Sequence, residues 1–192
     1  DGTGAGLGYG SDDEFEFNAA DRDLVINDVH YAFEESEVTS VEFAGGDGFD
    51  TVILHDSRGD DTLEAWAAEA VLSTASGDTA VDYSVHVVEF EQLHAYARSG
   101  GQDSATLYDS DGNDKFKAEP DKDYAKMYGG AMYNRVKFFD VIEAYSSSGS
   151  DLARLFDTAG DDTFEGQKDT SRLYGADYEI LVHDFGQVVA CH

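Results

Sequence analysis

The chain has 192 residues and a mass of 20.8 kDa, enough for one domain with a real core and small for two. Twelve Lys and Arg stand against 41 Asp and Glu, a formal charge of −29, which argues against nucleic acid or an anionic membrane as partner because phosphate would be repelled. A disordered acidic tail is also excluded, since 12 Phe, 11 Tyr, one Trp and 41% hydrophobic residues supply ample apolar surface to bury.

Twenty Gly with the single Pro120 suit many tight turns better than long helices. The lone Cys191 excludes an intramolecular disulfide framework and a multi-Cys zinc site. No apolar run approaches the roughly 20 residues of a membrane span. The sequence starts at Asp1 with neither Met nor signal peptide, so the expectation is a processed or excised chain of secreted origin.

Residues 1–10 form a Gly-rich lead-in, and a four-residue pattern, small-x-Leu/Met-aromatic, then recurs along the chain. Its weak forms are Ala5–Gly8, Leu24–Asn27, Val52–His55 and Ala70–Ser73; its strong forms are Ala105–Tyr108, Ala125–Tyr128, Ala153–Phe156 and Ser171–Tyr174. Short and long steps alternate between them. Alternation inside each element predicts a strand with two inward residues, such as Ala105 and Leu107, flanking an outward one. Phe90, Phe139 and Phe185 are further inward candidates, followed by Leu93, Ile142 and Val188, and by Ala95, Ala144 and Ala190. The Ala- and Glu-rich stretch from Thr62 to Ser73 is read as an irregular loop or short helical turn entering a strand, and Thr74 to Tyr83 as an outward excursion.

A longer repeat sets the fold. Asp50-Thr-Val-Ile-Leu-His-Asp-Ser-Arg-Gly-Asp-Asp-Thr-Leu63 aligns with Asp103 to Phe116 and with Asp151 to Phe164. Each has Asp, an inward pair, and then an Asp-Ser/Thr-x-Gly-Asp/Asn-Asp turn. The predicted architecture is all-β, a parallel β-helix (β-solenoid) of about eight coils in four two-coil repeats of roughly 50 residues. The repeats cover 5–50, 51–100, 101–149 and 150–192 of a single domain. An antiparallel sandwich of short strands is the alternative.

The acidic turns are the candidate site. They are Asp56-Ser-Arg-Gly-Asp60-Asp61, Asp109-Ser-Asp111-Gly-Asn113-Asp114 and Asp157-Thr-Ala-Gly-Asp161-Asp162. Gly45-Gly-Asp47-Gly-Phe-Asp50-Thr-Val-Ile53 fits the nonapeptide G-G-x-G-x-D-x-U-x at every position. On these residues the chain resembles RTX-type repeat segments of large secreted bacterial surface proteins. The resemblance implies Ca2+ held by Asp carboxylates and backbone carbonyls, and an extracellular or cell-surface location. It departs from that family in spacing: the full nonapeptide occurs once, and its relatives lie too far apart to share one ion. Any calcium must be held within one turn or with the intervening coil. The pairs Asp60-Asp61, Asn113-Asp114 and Asp161-Asp162 are the foremost ligand candidates. Asx-turns, in which the same side chains bond their own backbone, are the competing account. Asp109-x-Asp111-x-Asn113 starts like an EF-hand but fails, with Gly112 misplaced and Pro120 in the twelfth position.

The column His55, Tyr108, Tyr128, Phe156 and Tyr174 is expected to stack along one corner, either for packing or as a strip for polysaccharide. Lys115, Lys117, Lys122, Lys126, Arg135 and Lys137, with Tyr133 and Asp140, are the best local candidate for chemistry on an acidic sugar. No nucleophile elbow, P-loop or dinucleotide fingerprint appears, so no enzyme is expected. The histidines have no close metal-ligand spacing. The expected role is structural or adhesive, by head-to-tail self-assembly into filaments or by stacking on neighbouring repeats of a longer chain. A carbohydrate-active β-helix module, lyase-like or glycan-binding, is the alternative. Cys191 is read as packed or exposed without a function, with cross-linking as the alternative.

Overall fold

Period-2 burial governs most strands of the computed structural model, which describes residues 11–34, 38–75 and 82–192. The strands come in a recurring unit: a three-stranded meander followed by two single strands. In the first unit the meander is β1 (Glu14–Asn18), β2 (Asp23–Ile26) and β3 (Val29–Ala32), followed by β4 (Ser40–Ala44) and β5 (Thr51–His55). The second has β6 (Asp61–Ala65), β7 (Glu69–Thr74) and β8 (Ser84–Val88), then β9 (Gln92–Tyr96) and β10 (Ser104–Tyr108). The third has β11 (Lys115–Glu119), β12 (Tyr124–Gly129) and β13 (Met132–Lys137), then β14 (Val141–Tyr145) and β15 (Leu152–Phe156). The fourth has β16 (Thr163–Gly166), β17 (Thr170–Tyr174) and β18 (Glu179–His183), then β19 (Gln187–Cys191).

Two sheets result. The ten-stranded sheet runs β3-β2-β1-β5-β9-β13-β12-β11-β15-β19, and the nine-stranded sheet β4-β8-β7-β6-β10-β14-β18-β17-β16. Single strands pair in parallel, as β5 with β9 and β10 with β14, while each meander is antiparallel internally. The chain crosses from sheet to sheet at the corners, so the molecule is a β-solenoid, as the repeats predict. The meanders of the first and third units lie in the ten-stranded sheet, and those of the second and fourth in the nine-stranded one.

The inward residues are those the alternation marks. Val52, Leu54, Leu72, Leu107, Met127, Leu155 and Leu173 are all buried, as are Phe90, Phe139, Leu93 and Ile142. Burying each such side chain contributes about 1.5–3 kcal/mol, and truncating Leu107 to Ala would cost about 2–5 kcal/mol. Ala190 differs: it is exposed, because β19 is an outer strand of its sheet.

Three expectations are corrected. The four-residue elements do not stack into one pair of ladders through successive coils. Leu24 (β2), Ala70 (β7), Ala125 (β12) and Ser171 (β17) sit in the middle strands of meanders, in both sheets. Thr62 to Ser73 is neither loop nor helical turn but the hairpin β6–β7, with Leu63 opposite Leu72 and Ala65 opposite Ala70. The aromatic column also divides. On one sheet His55 stacks on Tyr96 at 5.2 Å; on the other, Trp66, Tyr108, Tyr145 and His183 form a continuous stack with steps of 5.0, 5.4 and 4.3 Å. The element Ala5–Gly8 and most of the excursion after Thr74 lie outside the described residues.

The corners are tight because their backbones touch. Gly101 and Gly149 have φ of 110° and 119°, and a Cβ on either would overlap the carbonyl oxygen of Gly59 or Gly112 in the turn stacked against it. Only glycine meets both demands.

Candidate metal centre

The Asp that opens each turn-and-strand segment accepts a backbone hydrogen bond from the coil beside it. The Asp13 amide donates to Asp50 Oδ1 (2.7 Å), the Asp61 amide to Asp103 Oδ1 (2.9 Å) and the Asp114 amide to Asp151 Oδ1 (2.8 Å). The ladder continues, with the Asp50 amide donating to Glu91 (2.7 Å) and the Asp103 amide to Asp140 (2.8 Å). Such charge-assisted bonds bind coil to coil.

Among the described residues this stacking gathers carboxylates in two threes. Asp56, Asp61 and Asp103 at one corner, and Asp109, Asp114 and Asp151 at another, each bring three oxygens within 4.8 Å of one another. In both sets the third carboxylate comes from the adjacent coil. Asp61, Asp56 and Asp103 are at most 3% exposed. Burial, then the neighbouring Asp56, Asp61 and Asp140 charges, push the Asp103 carboxyl up to about 7 against the opposing Asp61 amide bond. Burial likewise raises Asp50, Asp61 and Asp109.

The adjacent acidic pairs do not act together. In Asp60-Asp61 the second residue turns inward, while Asp60 Oδ1 accepts the Gln102 amide at 2.7 Å on the surface. Asn113 Oδ1 accepts the Ser150 amide at 2.9 Å in the same way. Asp47, Asp111 and Asp161 are exposed, and Asp111 meets Ser148 Oγ at 3.4 Å. Asp157 contacts His192 at 2.9 Å. Asp162 Oδ2 accepts the Thr158 amide and hydroxyl at 2.7 and 2.8 Å, matching Asp61 with Ser57 and Asp114 with Ser110. These bonds run back to the residue four positions earlier and close each turn, rather than forward by two as in an Asx-turn.

The other oxygen of the inward Asp receives a side chain from the far hairpin of its own meander. Asn27 Nδ2 donates to Asp13 at 2.6 Å, the Tyr83 hydroxyl to Asp61 at 2.8 Å and the Tyr178 hydroxyl to Asp162 at 2.8 Å. In the third meander that position holds Met132, opposite Gly129 as Tyr178 is beside Gly175. Asp114 Oδ1 is buried without a hydrogen-bond partner among the described residues.

Sequence reasoning missed Asp103 and Asp151 as third carboxylates. Their signal is present, since both open the aligned segments, but their proximity arises only across coils. The candidate catalytic group comes apart: Asp140 sits at a corner accepting the Asp103 amide. Lys122, Lys126, Tyr133, Arg135 and Lys137 line a shallow groove with Tyr124 on the outside of β12 and β13. Lys117 and Lys122 hold the Glu119 carboxyl down at about 2, outweighing its burial.

All donors in the two carboxylate sets are oxygens, the donor type that calcium takes and zinc does not favour. No protein family, curated protein or solved structure compared with this chain matches it.

Proposed function

We propose that the chain is a structural and adhesive β-solenoid of extracellular or cell-surface assemblies, with Ca2+ stabilising its corners. The two threes of carboxylates, buried but for the half-buried Asp109, carry this reading. Among the described residues none of the six is in an ion pair with Lys, Arg or His, so a divalent cation is the natural counter-charge. Asp56, Asp61 and Asp103 would hold one ion, and Asp109, Asp114 and Asp151 another. Calorimetry tests it: the chelated protein should melt higher as millimolar calcium is restored, and an unchanged melt would overturn it.

Edge strands support the assembly part of the reading. In unit order β3 corresponds to β13 and β19 to β9, and β9 and β13 pair in parallel inside the molecule. The β19 edge of one array therefore matches the β3 edge of another copy, or of a neighbouring repeat of a longer chain. Val29 and Tyr31 on β3 are 51% and 50% exposed, as befits a strand awaiting a neighbour. Electron microscopy of concentrated protein should show filaments; a strict monomer would overturn this part.

A glycan-binding module is the second reading, favoured by the groove of Lys122, Lys126, Arg135 and Lys137 between Tyr124 and Tyr133. Binding of polygalacturonate that is lost in Lys126→Ala/Arg135→Ala would establish it, and depolymerisation of that polymer would point to a lyase. In the first reading the chain catalyses no reaction.

A further inference from the structure

A further cleft, lined by none of the six carboxylates of the two threes, adjoins the basic groove and shares Tyr124 with it. It has a volume of about 690 Å3 and opens where the turns 120–123, 138–140 and 158–162 meet the β17–β18 hairpin. Among the described residues seven of those lining it are acidic, including Asp121, Asp123, Asp161 and Asp177, and none is basic. The rings of Tyr124, Phe138 and Tyr178 complete it.

The first half of the molecule shows what fills the corresponding space. Arg22 immediately precedes β2, the middle strand of the first meander, as Asp123 immediately precedes β12, the middle strand of the third. Both have left-handed backbones, with φ of 53° and 52°. Arg22 is only 6% exposed, and its guanidinium lies 5.3 Å from the centroid of the Tyr83 ring. Tyr83 bonds Asp61 just as Tyr178 bonds Asp162. Phe17, the fourth residue of β1, packs beside Tyr83 and Phe33 at 6.1 and 6.3 Å. The fourth residue of β11 is Ala118, so the second half lacks this ring as well as the cation. Two replacements, Arg22 by Asp123 and Phe17 by Ala118, thus turn a plugged corner into an open one with inverted charge.

We propose that this cleft docks an arginine side chain of a basic peptide or protein partner, its guanidinium stacking on Tyr178 where Arg22 stacks on Tyr83. Carboxylates receive guanidinium in forked pairs, and a tyrosine face attracts it by cation–π interaction. Lysine carries the charge but neither the fork nor the plane, so the site discriminates between them.

The probe is a fluorescein-labelled Gly-Arg-Gly-Arg-Gly peptide, followed by anisotropy at about 150 mM salt, where diffuse attraction to an acidic surface is screened. Its lysine counterpart should bind several-fold more weakly. Asp123→Arg places the plug back in the cleft from within and should weaken binding at least about tenfold, with an unchanged or raised Tm. Asp47→Arg alters net charge equally at a distant exposed turn and should change binding by less than about twofold. Equal effects of Asp47→Arg and Asp123→Arg would show diffuse electrostatics and overturn the proposal. So would a wild type that binds no arginine peptide, or one that binds calcium in its place with the binding lost in Asp123→Arg.

Discussion

Among the described residues, replacing Met132 by Tyr should repair the one meander whose inward Asp has an oxygen with no donor. Tyr83 and Tyr178 donate their hydroxyls at 2.8 Å to Asp61 and Asp162, and the equivalent Asp114 Oδ1 is buried with no partner. The setting is alike, because Gly129 pairs with Met132 as Gly175 pairs with Tyr178 and each glycine lies against the carboxylate of its inward Asp. A hydrogen bond to a buried carboxylate contributes about 1.5–3 kcal/mol, while the larger ring costs about 1–3 kcal/mol if the site resists it. Met132→Phe carries the ring cost alone, so the difference between the two variants isolates the hydroxyl. About 2 kcal/mol corresponds to Tm higher by roughly 4–8 °C for Met132→Tyr than for Met132→Phe in a chain of this size. Differential scanning calorimetry in chelator measures it. Tyr and Phe variants that melt together would refute the reasoning, as would a Tyr178→Phe variant with unchanged Tm.

Asp103 makes stability fall with rising pH. Its folded-state carboxyl is raised to about 7, so the stability present below about pH 4 is lost as pH climbs toward 7, on the order of 4 kcal/mol. In chelator Asp103→Asn, which keeps the acceptor for the Asp61 amide, should flatten that fall in urea titrations; an unaltered slope would count against it. In calcium the same variant should lose part of the metal-dependent rise in Tm, and retention of the full rise would remove Asp103 from the ligand set. Gly149→Ala should destabilise by at least about 3 kcal/mol, because strain at positive φ adds to overlap with Gly112. Gly100→Ala, with φ of 107° but open space around it, should lose only about 1–2 kcal/mol; equal losses would show that stacking contact is irrelevant.

Burial was far more legible than strand order. Val52 with Leu54 and Ala153 with Leu155 announce inward pairs, and they are inward. Yet Ala105-Thr-Leu-Tyr108 is a single strand paired in parallel on both sides, while Ala125-Lys-Met-Tyr128 is the middle of an antiparallel meander. A four-residue pattern reports only which side chains face the core, and that period is the same in both settings. Around Trp66 the Ala and Glu residues suggested helix, but the inward register of Leu63 and Ala65 against Leu72 and Ala70 prevails. At the candidate site the turn residues were evident, whereas the division between inward Asp61 and outward Asp60 depends on the neighbouring coil. The relation of Arg22 to Asp123 was hidden because the first unit resembles the others only weakly in sequence.

The migration of the meander from one sheet to the other imposes a parity rule on this architecture. Successive units are turned over relative to each other, so features of the first face the same way as those of the third, and the second as the fourth. Removing or inserting one unit would invert every outer surface beyond the junction while keeping the pairing at the junction itself, since β4 pairs with β8 as β9 pairs with β13 and β14 with β18. Adding or removing two units leaves the phase intact. Arrays of this kind therefore keep the facing of their outer surfaces only when they lengthen by even steps, and a binding surface built on one unit would reappear on the same side at every second unit.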